Sequence, residues 1–218
     1  MRVKPFRRAI GFVDWNTAVI ASGAAIRPGR PGIMAEIALR HVERIVSECL
    51  NSSGVGSKFD VRLRLYAGWH AGTTRTPYYH GITTVMGAYA SKVRTYHDNR
   101  VVFRGGDGGI RLGHTLACVP RRRASKHNVH LLDTLRSREG QPEEKMVDTS
   151  LVVDLLGLAN RKEADRYLVV SDDDDMLPGV LAAEAVGAES MMLSRPHMSS
   201  RFMAHASDLV HTYQSVRP

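Results

Sequence analysis

YLVVSDDDDMLPGV, Tyr167 to Val180, is the stretch on which the fold turns. Its first four residues are apolar without alternation, which suits a central parallel strand covered on both faces. Four aspartates, Asp172 to Asp175, follow at once, and Leu177 to Val186 then reads as a helix. Gly187 and a further short strand, Ser190 to Leu193, come next. Upstream, Asp148 to Asn160 has the apolar stripe Leu151, Val152, Leu155, Leu156 and Ala159 of a helix. Strands alternating with helices predict an α/β fold, a three-layer α/β/α sandwich with a mostly parallel central sheet. In such a sheet the functional crevice lies beyond the carboxyl ends of the strands. The aspartate run falls at that position.

Toward the N-terminus the same grammar holds. Ala9 to Val13 is a short apolar strand ending in Asp14, and Gly23 to Gly32, with Pro28 and Pro31, is a loop. Met34 to Leu50 repeats its apolar residues at helical spacing, and Asn51 to Gly56 ends that helix. VRLRLY, Val61 to Tyr66, alternates strictly and predicts a strand with one basic face. In the middle, Gly81 to Arg100 is taken as helical and Val101 to Phe103 as extending toward a hairpin. The glycine-rich run Arg104 to Gly113 is taken as a turn or mobile loop. Thr115 to Val119 is taken as a strand, and Ala124 to Glu144 as polar and only partly ordered. One domain over residues 1–218 is expected, with a variable basic insertion around 70–140.

Composition narrows the class. With 43% hydrophobic residues in 218, the chain can bury a large core. Cys49 and Cys118 have no metal-type spacing and are expected as free thiols of a reducing cytoplasm. Behind the charged start MRVKPFRR there is no apolar run of signal-peptide length. The most apolar stretch, Leu151 to Ala159, is interrupted by Asp154 and too short for a bilayer, so no membrane role is expected. The formal net charge of +8 points to a polyanionic partner, yet acids concentrate between Glu139 and Asp175.

Those acids carry the chemistry. Asp14 follows the first strand, Asp172 to Asp175 follow the strand at Tyr167, and Asp148 heads the apolar stripe, which predicts that it faces the sheet. Asp154, six residues on, is expected on the helix flank at about 240°. Two unit charges about 4 Å apart repel by roughly 1 kcal/mol in water and about 4 kcal/mol at an effective dielectric near 20. Converging carboxylates therefore protonate, separate or bind a cation. Oxygen ligands without a Cys or His set favour Mg²⁺ or Mn²⁺ over zinc. Such an ion serves phosphodiester hydrolysis. Taken singly, each acid has a plainer role: Asp14 as a turn cap, Asp148 as a helix cap, the tetrad as a solvated loop. Only the combination points to a site.

At these residues the chain resembles the NYN family of PIN-like nucleases. GFVDWNT (Gly11 to Thr17) resembles the family's opening strand and Asp-x-Asn turn, and KMVDTSLVVDLL (Lys145 to Leu156) its Lys-x-Val-Asp-x-x-Leu-x-x-Asp helix. VVSDDDDMLPGV (Val169 to Val180) is similar to Ser-Gly-Asp-Ser-Asp-Phe-x-Pro-x-Val, and SSRFMAHASDLV (Ser199 to Val210) to the family's tail. The likeness covers both ends and is poor from about 20 to 140. It implies a PIN-like fold and a metal centre of Asp14, Asp148, Asp173 and Asp175, with Asp154 and Asp172 as further candidate ligands. Asp172 and Asp174 stand where the family has glycine and serine, so a register using Asp172 and Asp174 stays open. Asn16 and Ser171 would orient ligands or the attacking water. The implied reaction is in-line hydrolysis of RNA leaving a 5′-phosphate and a 3′-hydroxyl.

Arg121, Arg122, Arg123 and Lys126 are candidates to track the RNA backbone, against the plainer expectation of a solvated basic loop. Tyr78 and Tyr79 beside Arg75, or Trp69 with His70, are candidates to stack on bases, with core or surface packing as the plainer role. His127 and His130 are taken as surface histidines. A catalytically inactive RNA-binding or scaffold protein on the same fold is the alternative, and a protein partner or homo-oligomer is left open. A haloacid-dehalogenase-type phosphatase is disfavoured, because Asn16 stands where it needs a second aspartate. Dinucleotide binding is disfavoured by the glycine spacing of RGGDGGIRLG.

Overall fold

The computed structural model describes residues 6–24, 30–53, 56–106, 108–119, 134–196 and 208–214. In chain order the strands are β1 (Arg7–Asp14), β2 (Phe59–Tyr66), β3 (His70–Ala71), β4 (Thr74–Arg75), β5 (Val93–Tyr96) and β6 (Val101–Arg104). They continue with β7 (Ile110–Leu112), β8 (Leu135–Arg138), β9 (Gln141–Glu144), β10 (Arg166–Val170), β11 (Ser190–Ser194) and β12 (Val210–Thr212). The helices are α1 (Trp15–Ala21), α2 (Pro31–Ser53), α3 (Pro77–Tyr89), α4 (Val147–Asn160) and α5 (Leu177–Ala185), with a 3-10 turn over Asp174–Met176.

β1 runs through the middle of an eight-stranded sheet of order β12-β11-β10-β1-β2-β6-β5, with β7 pairing β2 off that path. Only β5, antiparallel to β6, departs from parallel pairing in this sheet among the described residues. The molecule is thus a mixed α/β structure on a mostly parallel sheet.

Alternation along the central strands makes two cores. Ala9 and Val13 of β1 and Leu168 and Val170 of β10 pack with α1, α2 and α3 on one side. Ile10, Phe12, Tyr167 and Val169 pack with α4 and α5 on the other. A Cβ at Gly11 would stand 2.8 Å from Leu63 Cδ2, so β1 and its neighbours fit closely there. Helix α2 lays Ala35, Ala38, Leu39, Val42, Ile45, Val46 and Leu50 against the first core. Each fully buried Leu, Ile or Val contributes roughly 1.5–3 kcal/mol. Pro31 opens α2, a position where its missing N–H is not needed.

The middle of the chain differs from its sequence expectation. The helix there is α3; it begins at Pro77, where the Thr76 side chain accepts from the Tyr79 N–H, and it stops at Tyr89. Residues 93–104 form a hairpin instead of continued helix, its turn made by His97, Asp98 and Asn99 with φ of 51°, 54° and 61°. No strand spans Thr115 to Val119. The backbone groups there serve side chains: Arg64 Nη2 donates to Thr115 O, and Cys118 N–H to Asp154 Oδ1. The polar stretch before α4 contains the β8–β9 hairpin, whose turn residues Glu139 and Gly140 have φ of 51° and 79°. Cys49 and Cys118 are both free, and no described helix is long and apolar enough to cross a membrane.

Candidate functional site

The carboxyl ends of β1 and β10 lie side by side, since Val13 pairs with Val170. Whatever follows these strands must therefore meet. Asp14 caps α1: its Oδ1 accepts from the Thr17 N–H at 3.2 Å and its Oδ2 from Thr17 Oγ1 at 2.6 Å. Ser171, fully buried after β10, donates to the same Oδ2 at 3.2 Å and accepts the Asp173 N–H at 3.1 Å. One hydroxyl thus joins the first strand's acid to the loop carrying the tetrad. Asp173 then caps the 3-10 turn, accepting the Asp175 N–H at 3.0 Å, and both Asp173 and Asp175 stay exposed.

Asp148 sits in the first turn of α4, whose N-cap is Met146 in the left-handed region at φ 62°. The sheet-facing residues of that helix are Val147, Ser150, Leu151, Asp154, Leu155 and Leu158. The expected orientation is therefore corrected: Asp148 is rotated off the sheet and is solvent-exposed by area, while Asp154 is on the buried stripe. Asp148 still faces the other acids. Desolvation by surrounding atoms, then repulsion from Asp14, Asp173 and Asp175, raises it to about 6. Asp14 is also raised, chiefly by burial, against the lowering effect of its hydrogen bonds to Thr17 and Ser171.

A fifth carboxylate belongs to this group. Glu144, at the end of β9, accepts the Gly68 N–H at 2.6 Å, and burial with repulsion from Asp14 and Asp148 raises it to about 6. Tyr78 of α3 donates to Asn16 Oδ1 at 3.3 Å; burial, Glu144 and Asp14 push its phenol upward. Asn16 is thus held at the rim by an aromatic side chain from a distant segment.

Two candidate ligands do not join the group. Asp154 is fully buried; its Oδ2 accepts from Arg64 Nη2 at 2.8 Å, Arg64 Nε at 3.1 Å and Tyr66 OH at 2.9 Å. Its second oxygen takes the Cys118 N–H, so its lone pairs are spent inside the protein and not at the rim. Asp172 is 6% exposed and turned toward β11, where Oδ1 accepts the Arg195 N–H at 2.9 Å and Oδ2 pairs with the Arg195 guanidinium. Its carboxylate is engaged by Arg195, whereas Asp173 and Asp175 contribute to raising Asp148. Arg121, Arg122, Arg123, Lys126, His127 and His130 lie outside the described residues. Trp69 and His70 are 1% and 7% exposed, which removes them as stacking surfaces.

No protein-family profile and no curated protein matches the chain. Among solved structures, the crystal structure of a protein of unknown function from Vibrio parahaemolyticus RIMD 2210633 is similar at 11% identity and a TM-score of 0.49. That likeness covers 100% of this chain and 97% of the other. It lends no residue roles.

The donor chemistry fits a hard divalent cation, for every member is a carboxylate and three carry raised proton affinity. The spacing is looser than the chemistry. Among the described residues no three His, Cys, Asp or Glu side chains stand close enough to hold an ion as they are. Burial, ahead of mutual repulsion, is the larger cause of each shift, as expected for carboxylates near one another but not in contact. Mg²⁺ usually keeps several waters and takes one or two protein carboxylates, so it does not need a closed cage.

Glu144 had no signal in the sequence that singled it out. It is adjacent to Glu143 in a stretch whose sequence reads as polar and only partly ordered; in β9 the two point to opposite faces, and Glu144 is the one that meets Gly68. Glu143 instead pairs with Lys145 at 2.6 Å.

Proposed function

We propose that this chain is a divalent-metal-dependent ribonuclease, a member of the NYN family on a PIN-like three-layer α/β/α sandwich, acting in the cytoplasm. The observation that supports this is the juxtaposition of Asp14 with the Asp173 loop through the Ser171 hydroxyl at the adjacent carboxyl ends of β1 and β10, near enough to Asp148 to help raise its pKa. Carboxylates so arranged lower the stability of the protein by themselves, and a cation relieves them. Mg²⁺ or Mn²⁺ held by carboxylates of this group would supply Lewis acidity toward a phosphodiester and acidify a water.

The chain's own groups do the positioning. Ser171 and Thr17 fix the Asp14 carboxylate by three hydrogen bonds. Tyr78 holds Asn16 at the mouth of the site. Glu144, with a pKa of about 6, can take up or release a proton at its carboxyl oxygen near neutral pH.

The test is direct. Labelled RNA and single-stranded DNA are incubated with the protein and Mg²⁺ or Mn²⁺, with and without chelator. Cleavage of RNA that disappears with chelator and in Asp173→Asn is the expected result. Tight RNA binding without turnover under every metal condition would replace this proposal with the inactive scaffold.

A further inference from the structure

The basic face of β2 is divided by burial. Arg64 is 6% exposed and spent on Asp154, Tyr66 OH and the Thr115 carbonyl. Arg62, on the same face, is exposed and makes no hydrogen bond or ion pair among the described residues. β7 pairs Arg111 with Arg64, so Arg111 projects from that face too. Just past α4, Arg161 is pinned by its terminal nitrogens on the carbonyls of Cys118 and Ala117, at 3.2 and 2.9 Å. These four arginines are among the residues lining one cavity of about 830 Å³, to which Glu163 also contributes.

The cavity lining also includes aromatic rings. Tyr79 and His114 line it, their ring centroids 6.1 Å apart. Its volume falls within the roughly 300–1,000 Å³ range of ligand sites. Guanidinium forks match phosphate oxygens, and aromatic faces take bases of any sequence. Arg62 lies four residues before Tyr66, whose register partner is Asp14. At about 3.3 Å per residue, the two levels are roughly 13 Å apart. That is on the order of two to four phosphates of a nucleic-acid strand.

We infer that this cavity anchors a single-stranded RNA, with phosphates on Arg62 and Arg111 and a base against Tyr79 and His114, while the chain continues toward the carboxylates. The inference rests on the ribonuclease reading for its orientation toward the acids. The groove is a positioning surface and takes no part in bond breaking.

Binding of a labelled ~12-nucleotide RNA is measured by anisotropy over a salt series with the full chain in chelator, so that no cleavage intervenes. Adenosine 5′-monophosphate is the competitor that stands for a free nucleotide. Arg62→Glu/Arg111→Glu should weaken RNA binding about tenfold or more and reduce the salt slope by about 1.4, since each phosphate contact on a single strand contributes about 0.7. Both arginines are exposed, and a thermal melt checks that the variant is folded; should it shift, Arg62→Gln alone is the control, with half the slope change expected. Unaltered RNA binding in a folded variant overturns the inference. Competition by the monophosphate as effective as by RNA also overturns it, marking a pocket for a free nucleotide. If the wild-type chain binds RNA through these arginines yet never cuts it, the groove stands as an RNA anchor and the ribonuclease reading fails.

Discussion

Asp148→Asn should make the metal-free protein more stable at neutral pH, the reverse of what loss of an ordinary helix-terminal acid would do. Burial and the charges of Asp14, Asp173 and Asp175 raise Asp148 from 3.8 to about 6. At about 1.36 kcal/mol per pKa unit, that corresponds to about 3 kcal/mol for a fully shielded group. Asp148 is solvent-exposed by area. Screening reduces the effect to about 1 kcal/mol, or roughly 2–4 °C in melting temperature for a chain of this size. The sign follows from the proton affinity: a carboxyl whose folded pKa is raised stabilises the fold when protonated, below about 3.8, and loses that contribution as pH rises through 6. The wild type should therefore lose ground to Asp148→Asn as pH rises from 4 to 6 and stay behind it above. The assay is a melt of both proteins in chelator from pH 4 to 8, repeated with Mn²⁺. Mn²⁺ should raise the wild type and restore its lead, because the ion neutralises the repulsion that asparagine has already removed. A variant less stable than wild type by the same amount at every pH, with and without Mn²⁺, would refute the convergence of these acids.

The remaining predictions concern the two aspartates that the fold has claimed for itself. Asp154→Ala should cost about 3–5 kcal/mol in urea unfolding, because it leaves the Arg64 guanidinium buried without a counter-charge; a loss under about 1 kcal/mol would contradict that pairing. Asp172→Asn should destabilise by about 1–3 kcal/mol by breaking the Arg195 ion pair. Its divalent-ion requirement in RNA cleavage should be that of the wild type, and a shifted requirement would return Asp172 to the ligand set.

Much of the architecture was readable in the chain because the deciding signals are local. YLVV contributes Tyr167 and Val169 to one core and Leu168 and Val170 to the other, as an uninterrupted apolar run must when both faces are covered. The α2 stripe was equally plain. The middle was not, since the helix stops at Tyr89 and the left-handed residues His97 to Asn99 turn the next hairpin without any glycine or proline to mark it. Likewise Thr115 to Val119 has strand composition, but its backbone is taken by Arg64 and Asp154.

The chain by itself determined which acids stand at strand ends, because that follows from where apolar runs stop. It also determined that one hydroxyl, Ser171, lies beside them. Tertiary structure alone decided how those acids divide. Asp172 is indistinguishable from its neighbours in sequence and Asp154 stands apart only by its helix position, yet each meets an arginine from a remote strand or strand end, Arg64 or Arg195, and is neutralised there. Glu144 enters the rim only because the β8–β9 hairpin lays its end against Gly68. Charge pairing over long sequence separations depends on distances through space, and no local pattern encodes them.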